Sequence, residues 1–367
     1  MVALRVLLAG GGTAGHTSPL LATAGAVGRL APDAEITALG TPRGLEVTLV
    51  PQAGYPLELV PAVPLPRSIG TDLLKVPGKL AGTVKATGEV FDRVRPDVVV
   101  GFGGYVSVPA YLVARKRKIP IVVHEQNALP GVANKLGARF TERVFTSFPE
   151  TPLAHSRYIG LPMREQIAHL DRAAERAQAR AEFGLDPDLP TLLVTGGSQG
   201  ARRINQAVSG AADELAAAGI QVLHAAGRVE EAQVERAPGE PPYVTLPFIE
   251  RIDLAYAAAD AIVCRSGANT VAEVAAVGLP AVFVPLPIGN GEQALNAHPV
   301  VGAGGGILVE DAALTPEWVS TAVVSLLRDS SRLERMSAAA SDLMPRDADD
   351  VLAREVLAAA GTEAGRG

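Results

Sequence analysis

The sequence predicts an α/β protein of two domains, each built around a parallel β-sheet. Three observations lead to this prediction: the chain length, the alternation of short apolar runs with helical stretches, and an internal repeat. The chain has 367 residues, of which 48% are hydrophobic. That length exceeds what one hydrophobic core usually supports, and the apolar content is sufficient for two cores.

Short runs of Val, Ile and Leu alternate along the chain with segments of helical length. Nearly continuous apolar runs are typical of parallel strands that are buried on both faces and separated by helices. The predicted strands are residues 6–9, 36–39, 98–100, 121–123, 191–194, 222–224, 261–263 and 281–284. A charged, alanine-rich segment separates the first four strands from the last four. From residue 316 onward the pattern is helical.

The two halves of the chain also repeat each other. The segments "LLAGGGTAGHTSPLLATAG" and "LLVTGGSQGARRINQAVSG" align without gaps, strand against strand and Gly-Gly-x-x-Gly against Gly-Gly-x-x-Gly. This repeat predicts two Rossmann-like domains, residues 1–163 and 164–345. Residues 346–367 are expected to form a helix that packs back on the first domain and then a frayed tail. Ligands of such domains lie at the carboxyl ends of the strands, which predicts a cleft between the domains.

The composition excludes several classes of protein. There are 33 basic and 39 acidic residues, and the net charge of −6 argues against a nucleic-acid partner. The single cysteine, Cys264, excludes a disulfide framework and multi-cysteine metal sites, and it is predicted to be a buried apolar residue. The first apolar run is too short for a signal peptide, and no run could cross a bilayer. We therefore expect no cofactor, no metal site and a protein that contacts a membrane from one side at most.

The first glycine loop matches the dinucleotide fingerprint but lacks its acidic partner. Gly10, Gly12 and Gly15 fit the pattern G-x-G-x-x-G, yet the second strand ends "ITALGT" without a carboxylate. This absence counts against a nicotinamide cofactor. His16 follows the loop directly, and an imidazole that titrates near neutrality is a candidate general base. The alternative is a histidine at a helix start that only bonds its neighbours.

Two more polar features follow strands of the first half. Gly103 and Gly104 form a second glycine turn, and two such turns together indicate a ligand with a diphosphate. They could also serve tight packing of a strand against a helix. Residues 124–127, "HEQN", lie at the end of the next predicted strand, where polar side chains of α/β proteins are often site residues. Some of them could only brace the loop.

The second half carries its own predicted anion site in "RSGANTVAE". A helix that starts near Asn269 points N–H groups at a ligand, which favours binding of a diphosphate. Glu273, one turn further along, is suited to the ribose hydroxyls, although it could simply complement the helix dipole. Gln293 and Asn296 offer amides for sugar hydroxyls, or are exposed helix residues.

Taken together, these residues resemble a known family. The motifs "GGGTAGH", "GFGGYVSVP", "HEQNALPGVANK", "GGSQGARRIN", "RSGANTVAE" and "EQALNA" occur in the order seen in the MurG family, and the similarity covers residues 4–357. These hexosyltransferases move GlcNAc from UDP-GlcNAc to the MurNAc 4-hydroxyl of undecaprenyl-diphosphate-MurNAc-pentapeptide (lipid I), with inversion, and so make lipid II for peptidoglycan. The resemblance implies the GT-B fold, two Rossmann-like domains whose parallel sheets face a central cleft.

The resemblance also implies a role for each matching residue. The residues for the donor UDP-GlcNAc are Thr13, Ala14, Gly15, Asn127, Arg164, Ser198, Ile249, Ala268, Asn269, Thr270, Glu273 and Gln293. Those for the acceptor diphosphate are Gly12, Gly15, His16, Gly103, Gly104 and Tyr105. Within the donor set, Ser198 and Arg164 are expected at the diphosphate and Ile249 beside the uracil. Glu273 is expected on the ribose and Gln293 on the sugar.

His16 is the favoured catalytic base, and Glu125 is its rival. An inverting displacement needs one base and no covalent intermediate. The sequence also shows no pair of carboxylates at a recognisable spacing.

The resemblance further implies a peripheral enzyme on the cytoplasmic face of the membrane, with cell-wall synthesis or division proteins as partners. Residues 67–85 mix leucines with lysines, which suits contact with anionic lipids, or an ordinary amphipathic helix. Three alternatives stay open from the sequence: a GT-B glycosyltransferase with another acceptor, a UDP-GlcNAc 2-epimerase, and a nucleotide-sugar sensor without turnover.

Overall fold

The computed structural model describes residues 3–62, 76–197, 201–288 and 290–361. The chain divides into two compact units. The first unit comprises Met1–Arg164 with Arg346–Gly367, and the second comprises Glu165–Pro345. No helix in the described ranges is long and apolar enough to span a membrane.

The first unit contains a seven-stranded parallel sheet. Its strands are β1 (Arg5–Ala9), β2 (Glu35–Gly40), β3 (Leu57–Leu59), β4 (Val98–Gly101), β5 (Ile121–Glu125), β6 (Val144–Thr146) and β7 (Ser156–Tyr158). The order across the sheet is β3-β2-β1-β4-β5-β6-β7, so the direction of winding reverses between β1 and β4. Ala9 pairs with Gly101, so the two glycine loops leave the sheet at the same level. Ligands of doubly wound sheets bind at such a switch point.

Helices cover both faces of this sheet. They are α1 (Ala14–Leu30), α2 (Glu46–Gln52), α3 (Val76–Val94), α4 (Ser107–Arg117), α5 (Val132–Gly137) and α16 (Ala348–Ala359). Val6 and Leu8 of β1 belong to the core on the side of α1 and α16. Leu7 and Ala9 belong to the core on the side of α3 and α4. This alternation is the two-residue period of a strand that is buried on both faces.

The second unit repeats the design with six parallel strands. They are β8 (Thr191–Thr195), β9 (Gln221–Ala225), β10 (Tyr243–Leu246), β11 (Ala261–Cys264), β12 (Ala281–Phe283) and β13 (Gly306–Leu308). Their order is β10-β9-β8-β11-β12-β13, again with a switch point, here between β8 and β11. The α-helices are α6 (Glu165–Ala168), α7 (Arg172–Glu182), α8 (Arg202–Ser209), α9 (Ala212–Ala217), α10 (Ile252–Ala258), α11 (Ala268–Ala276), α12 (Glu292–Gly302), α13 (Pro316–Trp318), α14 (Val324–Leu327) and α15 (Ser330–Ser341). Short 3-10 turns occupy Val229–Glu231 and Asp311–Ala313, and a π-helical turn occupies Val319–Val323.

All eight strands predicted from the sequence are present, and the structure adds five. The additional strands are β3, β6, β7, β10 and β13, each of three or four residues. They lie at the edges of the sheets or next to an edge. An edge strand is buried less completely than a central one, so its sequence lacks the long apolar run that identified the others.

The last helix, α16, packs within the first unit. Leu352 and Val356 are fully buried in the same core as Val27 of α1. Arg29, in the last turn of α1, pairs with Asp349 at 2.7 Å and with Asp350 at 2.9 Å. The C-terminal helix thus completes the core of the first unit.

Candidate functional site

A buried carboxylate holds the first glycine loop, between β1 and α1. Oε2 of Glu46 accepts a hydrogen bond from the N–H of Gly12 at 2.7 Å. Its Oε1 accepts from the backbone N–H of Thr41 at 2.9 Å and from the Thr41 hydroxyl at 3.0 Å. A Cβ on Gly11 or Gly44 would overlap this side chain, so the glycines make room for Glu46.

This arrangement bears on the prediction that Gly12 contacts the acceptor diphosphate. Its N–H is already used by Glu46, and a carboxylate at that point repels an anion. The Gly12 N–H is therefore unavailable to an acceptor diphosphate. Sequence reasoning missed Glu46 because it looks like an ordinary glutamate in the first turn of a short helix.

His16 lies against the second glycine turn. Gly103 and Gly104 both have left-handed φ angles, +88° and +75°. A Cβ on Gly103 would come within 3.1 Å of Cε1 of His16, and one on Gly104 within 2.8 Å of the Gly11 carbonyl. Only glycine allows this approach without strain. The fold thus brings the two predicted glycine loops together around the predicted base.

Several backbone donors lie at this point of the first unit. The N–H groups of Gly15, Gly103 and Gly104 form no hydrogen bond to any residue in the described ranges. Thr13 precedes α1 in an extended conformation and does not cap the helix with its side chain, and Tyr105 is exposed. Uncapped N–H groups at a helix start and a glycine turn are the kind of donors that bind phosphates.

A chain of hydrogen bonds runs from His16 into the interior, and we call it the histidine relay: His16, Gln126, His124 and the carbonyl of Gly160. Nδ1 of His16 lies 3.0 Å from Oε1 of Gln126. Nε2 of Gln126 lies 2.9 Å from the His124 carbonyl oxygen and 3.1 Å from its Nδ1. Nε2 of His124 lies 3.1 Å from the Gly160 carbonyl oxygen. Burial lowers the pKa of His124 to about 4, so this imidazole is neutral at physiological pH.

Glu125 braces the loop that follows β5. It is 2% exposed, and its Oε1 accepts from the N–H of Asn127 at 3.0 Å. Its Oε2 accepts from the N–H of Gly131 at 3.0 Å and from Nδ2 of Asn134 at 2.9 Å. Asn134 in turn accepts at its Oδ1 from the hydroxyl of Tyr111. Buried and bonded to three internal donors, Glu125 is suited to hold Asn127 in place, and this argues against it as the base.

In the second unit, the loop between β11 and α11 is tied to its surroundings from both sides. Arg265 pairs with Asp311 at 2.6 Å, and Nδ2 of Asn296 donates to the Ser266 carbonyl oxygen at 3.3 Å. The Ser266 hydroxyl is buried and has no hydrogen-bond partner in the described structure. Gly267 precedes α11 in an extended conformation and brings no side-chain cap. The fold thus fixes the loop while the start of α11 remains uncapped by a side chain.

Two further polar side chains predicted for the donor lie on α11 and α12, and each accepts a hydrogen bond within the second unit. Oε2 of Glu273 accepts from the hydroxyl of Tyr256 at 3.0 Å, and Glu273 is 9% exposed. Oε1 of Gln293 accepts from the N–H of Leu286 at 2.9 Å. Residues 268–270 form the first turn of α11, on the same helix as Glu273.

The other residues predicted to bind UDP-GlcNAc differ in burial and in location. Ile249 is 5% exposed, whereas its neighbour Phe248, which sequence reasoning missed, is 62% exposed. Arg164 is exposed and is the last residue of the first unit before Glu165, whereas the predicted domain boundary placed it in the second domain. Ser198 lies outside the described residues. Cys264 is buried, and burial raises the pKa of its thiol, which makes it unsuited to act as a nucleophile.

No set of three His, Cys, Asp or Glu side chains in the described part of the chain is arranged to hold a metal ion.

Known proteins are similar to this chain over nearly its whole length. Residues 6–146 match the glycosyltransferase family 28 N-terminal domain, and residues 191–352 match the corresponding C-terminal domain. The UDP-N-acetylglucosamine–N-acetylmuramyl-(pentapeptide) pyrophosphoryl-undecaprenol N-acetylglucosamine transferase of Nocardioides sp. is 67% identical over 96% of this chain and 98% of its own length. The enzyme of the same name from Streptomyces coelicolor is 58% identical over 99% of this chain and 100% of its own length. The crystal structure of MurG from Acinetobacter baumannii superposes with a TM-score of 0.78 at 30% identity, covering 97% of this chain and 99% of that one.

Proposed function

Since the chain belongs to glycosyltransferase family 28, and within it to the family of MurG N-acetylglucosaminyltransferases with the GT-B fold, we propose that it makes lipid II. In this reaction GlcNAc moves from UDP-GlcNAc to the 4-hydroxyl of MurNAc in lipid I, and the anomeric carbon is inverted. The relatives' name supports the donor and the acceptor.

The donor nucleotide is assigned to the second unit. The N-terminus of α11 carries partial positive charge and has no side-chain cap, which favours the diphosphate of UDP. Glu273, which accepts a hydrogen bond from Tyr256, is assigned to the ribose hydroxyls, and Gln293 is assigned to the sugar. Arg164 and Ser198 are assigned to the diphosphate, and Ile249 to the uracil. Thr13, Ala14, Gly15 and Asn127 of the first unit are assigned to the GlcNAc.

The acceptor diphosphate is assigned to the glycine loops of the first unit. The donors for it are the N–H groups of Gly15, Gly103 and Gly104, with His16 and Tyr105 beside them. Gly12 contributes only by shaping the loop, because Glu46 uses its N–H.

The observation that carries the proposed chemistry is the position of His16, whose imidazole lies against the turn at Gly103 and, among the described residues, is hydrogen-bonded at Nδ1 alone. In the transfer, the proton on O4 of MurNAc passes to His16 as O4 bonds to C1 of GlcNAc. The bond from C1 to the UDP oxygen breaks, and UDP leaves with the electron pair. The imidazolium then returns its proton to solvent. The positive end of α11 stabilises the charge that develops on the leaving diphosphate.

Contact with a membrane is proposed from the acceptor's lipid tail and from the segment 67–85. Residues 67–75 lie outside the described part of the chain, and α3 begins at Val76. In the described part, Leu80 is half-buried and Lys85 is exposed. Sedimentation with vesicles of anionic phospholipid tests this contact. Binding that does not weaken when Lys75, Lys79 and Lys85 are replaced by Glu would contradict it.

The reaction itself is tested with purified protein, UDP-GlcNAc and a short-chain lipid I analogue. Release of UDP together with a β-1,4-linked disaccharide is the expected result. The matched control acceptor lacks the MurNAc 4-hydroxyl and should give no disaccharide, because the nucleophile is missing. Replacing His16 by Ala should lower kcat by about 10²–10⁴-fold, whereas replacing His169, an exposed histidine of the second unit, should not.

Other outcomes point to other functions. A folded protein without turnover on lipid I refutes the proposal. Conversion of UDP-GlcNAc without any acceptor indicates a 2-epimerase, and transfer to a different acceptor in a panel indicates another glycosyltransferase. Tight binding of UDP-GlcNAc without turnover on any acceptor indicates a sensor.

A further inference from the structure

We propose that Gln126 is a positioning residue for His16, which holds the neutral imidazole in the Nδ1–H tautomer and leaves Nε2 to take the acceptor proton. The effect of this tautomer on catalysis rests on the proposed function. The tautomer itself rests only on the hydrogen bonds of the histidine relay.

The orientation of the Gln126 amide is decided by a backbone carbonyl. A carbonyl oxygen can only accept a hydrogen bond, so the group 2.9 Å from the His124 carbonyl oxygen is the NH₂ of Gln126. The opposite end of the amide, its oxygen, then faces Nδ1 of His16 at 3.0 Å. That oxygen also only accepts, and Nδ1 of His16 must therefore carry the proton.

The inner half of the relay requires the same arrangement. The Gln126 NH₂ also lies 3.1 Å from Nδ1 of His124, which accepts in the neutral ring. Nε2 of His124 then carries the proton and donates to the Gly160 carbonyl oxygen at 3.1 Å. Burial keeps the pKa of His124 near 4, so the ring remains neutral and can play this part. The relay has a single consistent set of protons, fixed by two backbone carbonyls.

The alternative tautomer would break the relay. With the proton on Nε2, the lone pair on Nδ1 of His16 would face the oxygen of Gln126. Rotating the amide would remove that conflict only by turning its oxygen towards the His124 carbonyl oxygen. The ring also lies directly against the turn at Gly103. Each alternative therefore leaves a buried polar atom without its partner, which is unfavourable.

The tautomer decides which nitrogen can act as the base. A neutral imidazole takes a proton only at its unprotonated nitrogen. In the Nδ1–H tautomer this nitrogen is Nε2, to which no residue of the described ranges forms a hydrogen bond. In the other tautomer Nε2 would present a proton to the acceptor hydroxyl. Gln126 thus acts on the reaction through His16, without contact with the substrate.

The direct test is the ¹⁵N spectrum of the His16 imidazole in the wild-type protein, assigned by its loss in a His16→Ala variant. At a pH where the ring is neutral, Nδ1 should give the signal of a protonated nitrogen and Nε2 that of a bare one. Replacing Gln126 by Ala should shift population towards the Nε2–H form. A wild-type ring already protonated on Nε2, or a Gln126→Ala spectrum identical to wild type, overturns the proposal.

A matched control separates positioning from general destabilisation. Gln221 is also a buried glutamine, whose NH₂ donates to the Asp186 carbonyl oxygen at 2.8 Å and the Leu189 carbonyl oxygen at 3.1 Å. Gln221→Ala should lower stability but leave the His16 spectrum and kcat per folded molecule unchanged. If Gln126→Ala does not fold, Gln126→Met keeps the length of the side chain without its polar atoms and carries the same test.

Kinetics supply a second readout through a double-mutant cycle. Gln126→Ala should lower kcat by about tenfold or more and leave KM for UDP-GlcNAc unchanged. In a His16→Ala background the same substitution should cause no further loss, because its effect passes through His16. Equal losses in both backgrounds would contradict the proposal. An inactive wild-type protein would refute the proposed function instead, and the tautomer would still be read from the spectrum.

Discussion

Replacement of Glu46 by Gln tests whether one buried carboxylate organises the acceptor loop. Glu46 is fully buried, and its two oxygens accept three hydrogen bonds, one from Gly12 and two from Thr41. Glutamine has nearly the same shape, so the substitution creates no cavity. It changes only what the two ends of the side chain can do, since an amide has one acceptor end and one donor end.

The magnitude follows from these bonds. The glutamine amide has two orientations. In one, its oxygen accepts from Thr41 and its NH₂ group faces the N–H of Gly12. In the other, its oxygen accepts from Gly12 and its NH₂ group faces the N–H of Thr41. Either way one hydrogen bond to a charged acceptor is lost, worth about 1.5–3 kcal/mol, and one N–H group loses its partner. The neutral amide recovers part of the cost of burying a charge. We expect the free energy of unfolding of the first unit to fall by about 2 kcal/mol, and kcat to fall because the loop beside His16 shifts.

The assay is urea unfolding, together with kcat and KM on the lipid I analogue. Glu89→Gln is the matched control, because Glu89 is exposed on α3 of the same unit and the same chemical change there should alter stability by less than about 0.5 kcal/mol. A Glu46→Gln protein as stable and as active as this control would refute the reasoning. A loss of stability with unchanged kcat would show that Glu46 supports the fold but not the loop geometry.

Three further predictions concern single features of the two units. Glu273→Ala should raise KM for UDP-GlcNAc more than it lowers kcat, because the ribose contact is made before and during the transfer; a pure kcat effect in steady-state kinetics would contradict this role. Gly103→Ala should lower kcat without changing KM for the donor, because φ of +88° strains alanine and its Cβ would press on His16 at 3.1 Å; unchanged kcat would contradict the packing argument. Burial lowers the pKa of His124 and of His224 from 6.5 to about 4, so between these values the unfolded chain binds more protons than the folded one. Stability should therefore fall as the pH is lowered through this range, by up to about 1.4 kcal/mol per pH unit for each histidine. Urea unfolding measured across the range checks this, and a profile without such a slope would contradict it.

The strands and the glycine loops could be predicted because their signals are local. Each central strand is a run of apolar residues, and each loop is marked by glycines that the backbone itself requires. The same reasoning missed β3 and β13, because short edge strands have no such run. It also assigned Gly12 to an anion, because the glycine pattern reveals the shape of a loop but not which of its N–H groups are already bonded.

The sequence by itself determined the α/β class through its apolar runs and internal repeat, and the family and the candidate site residues through its motifs, since these signals depend only on neighbours along the chain. Tertiary structure decided which of those residues act together. Glu46 is 34 residues from Gly12, and Gln126 is 110 residues from His16. Both bonds depend on the strand order, in which β1 lies between β2 and β4 and β5 lies next to β4. This order brings loops that are distant in sequence together at the carboxyl ends of the strands. A hydrogen bond depends on separation in space and on the direction of donor and acceptor, and only the packed fold sets either of these for residues so far apart.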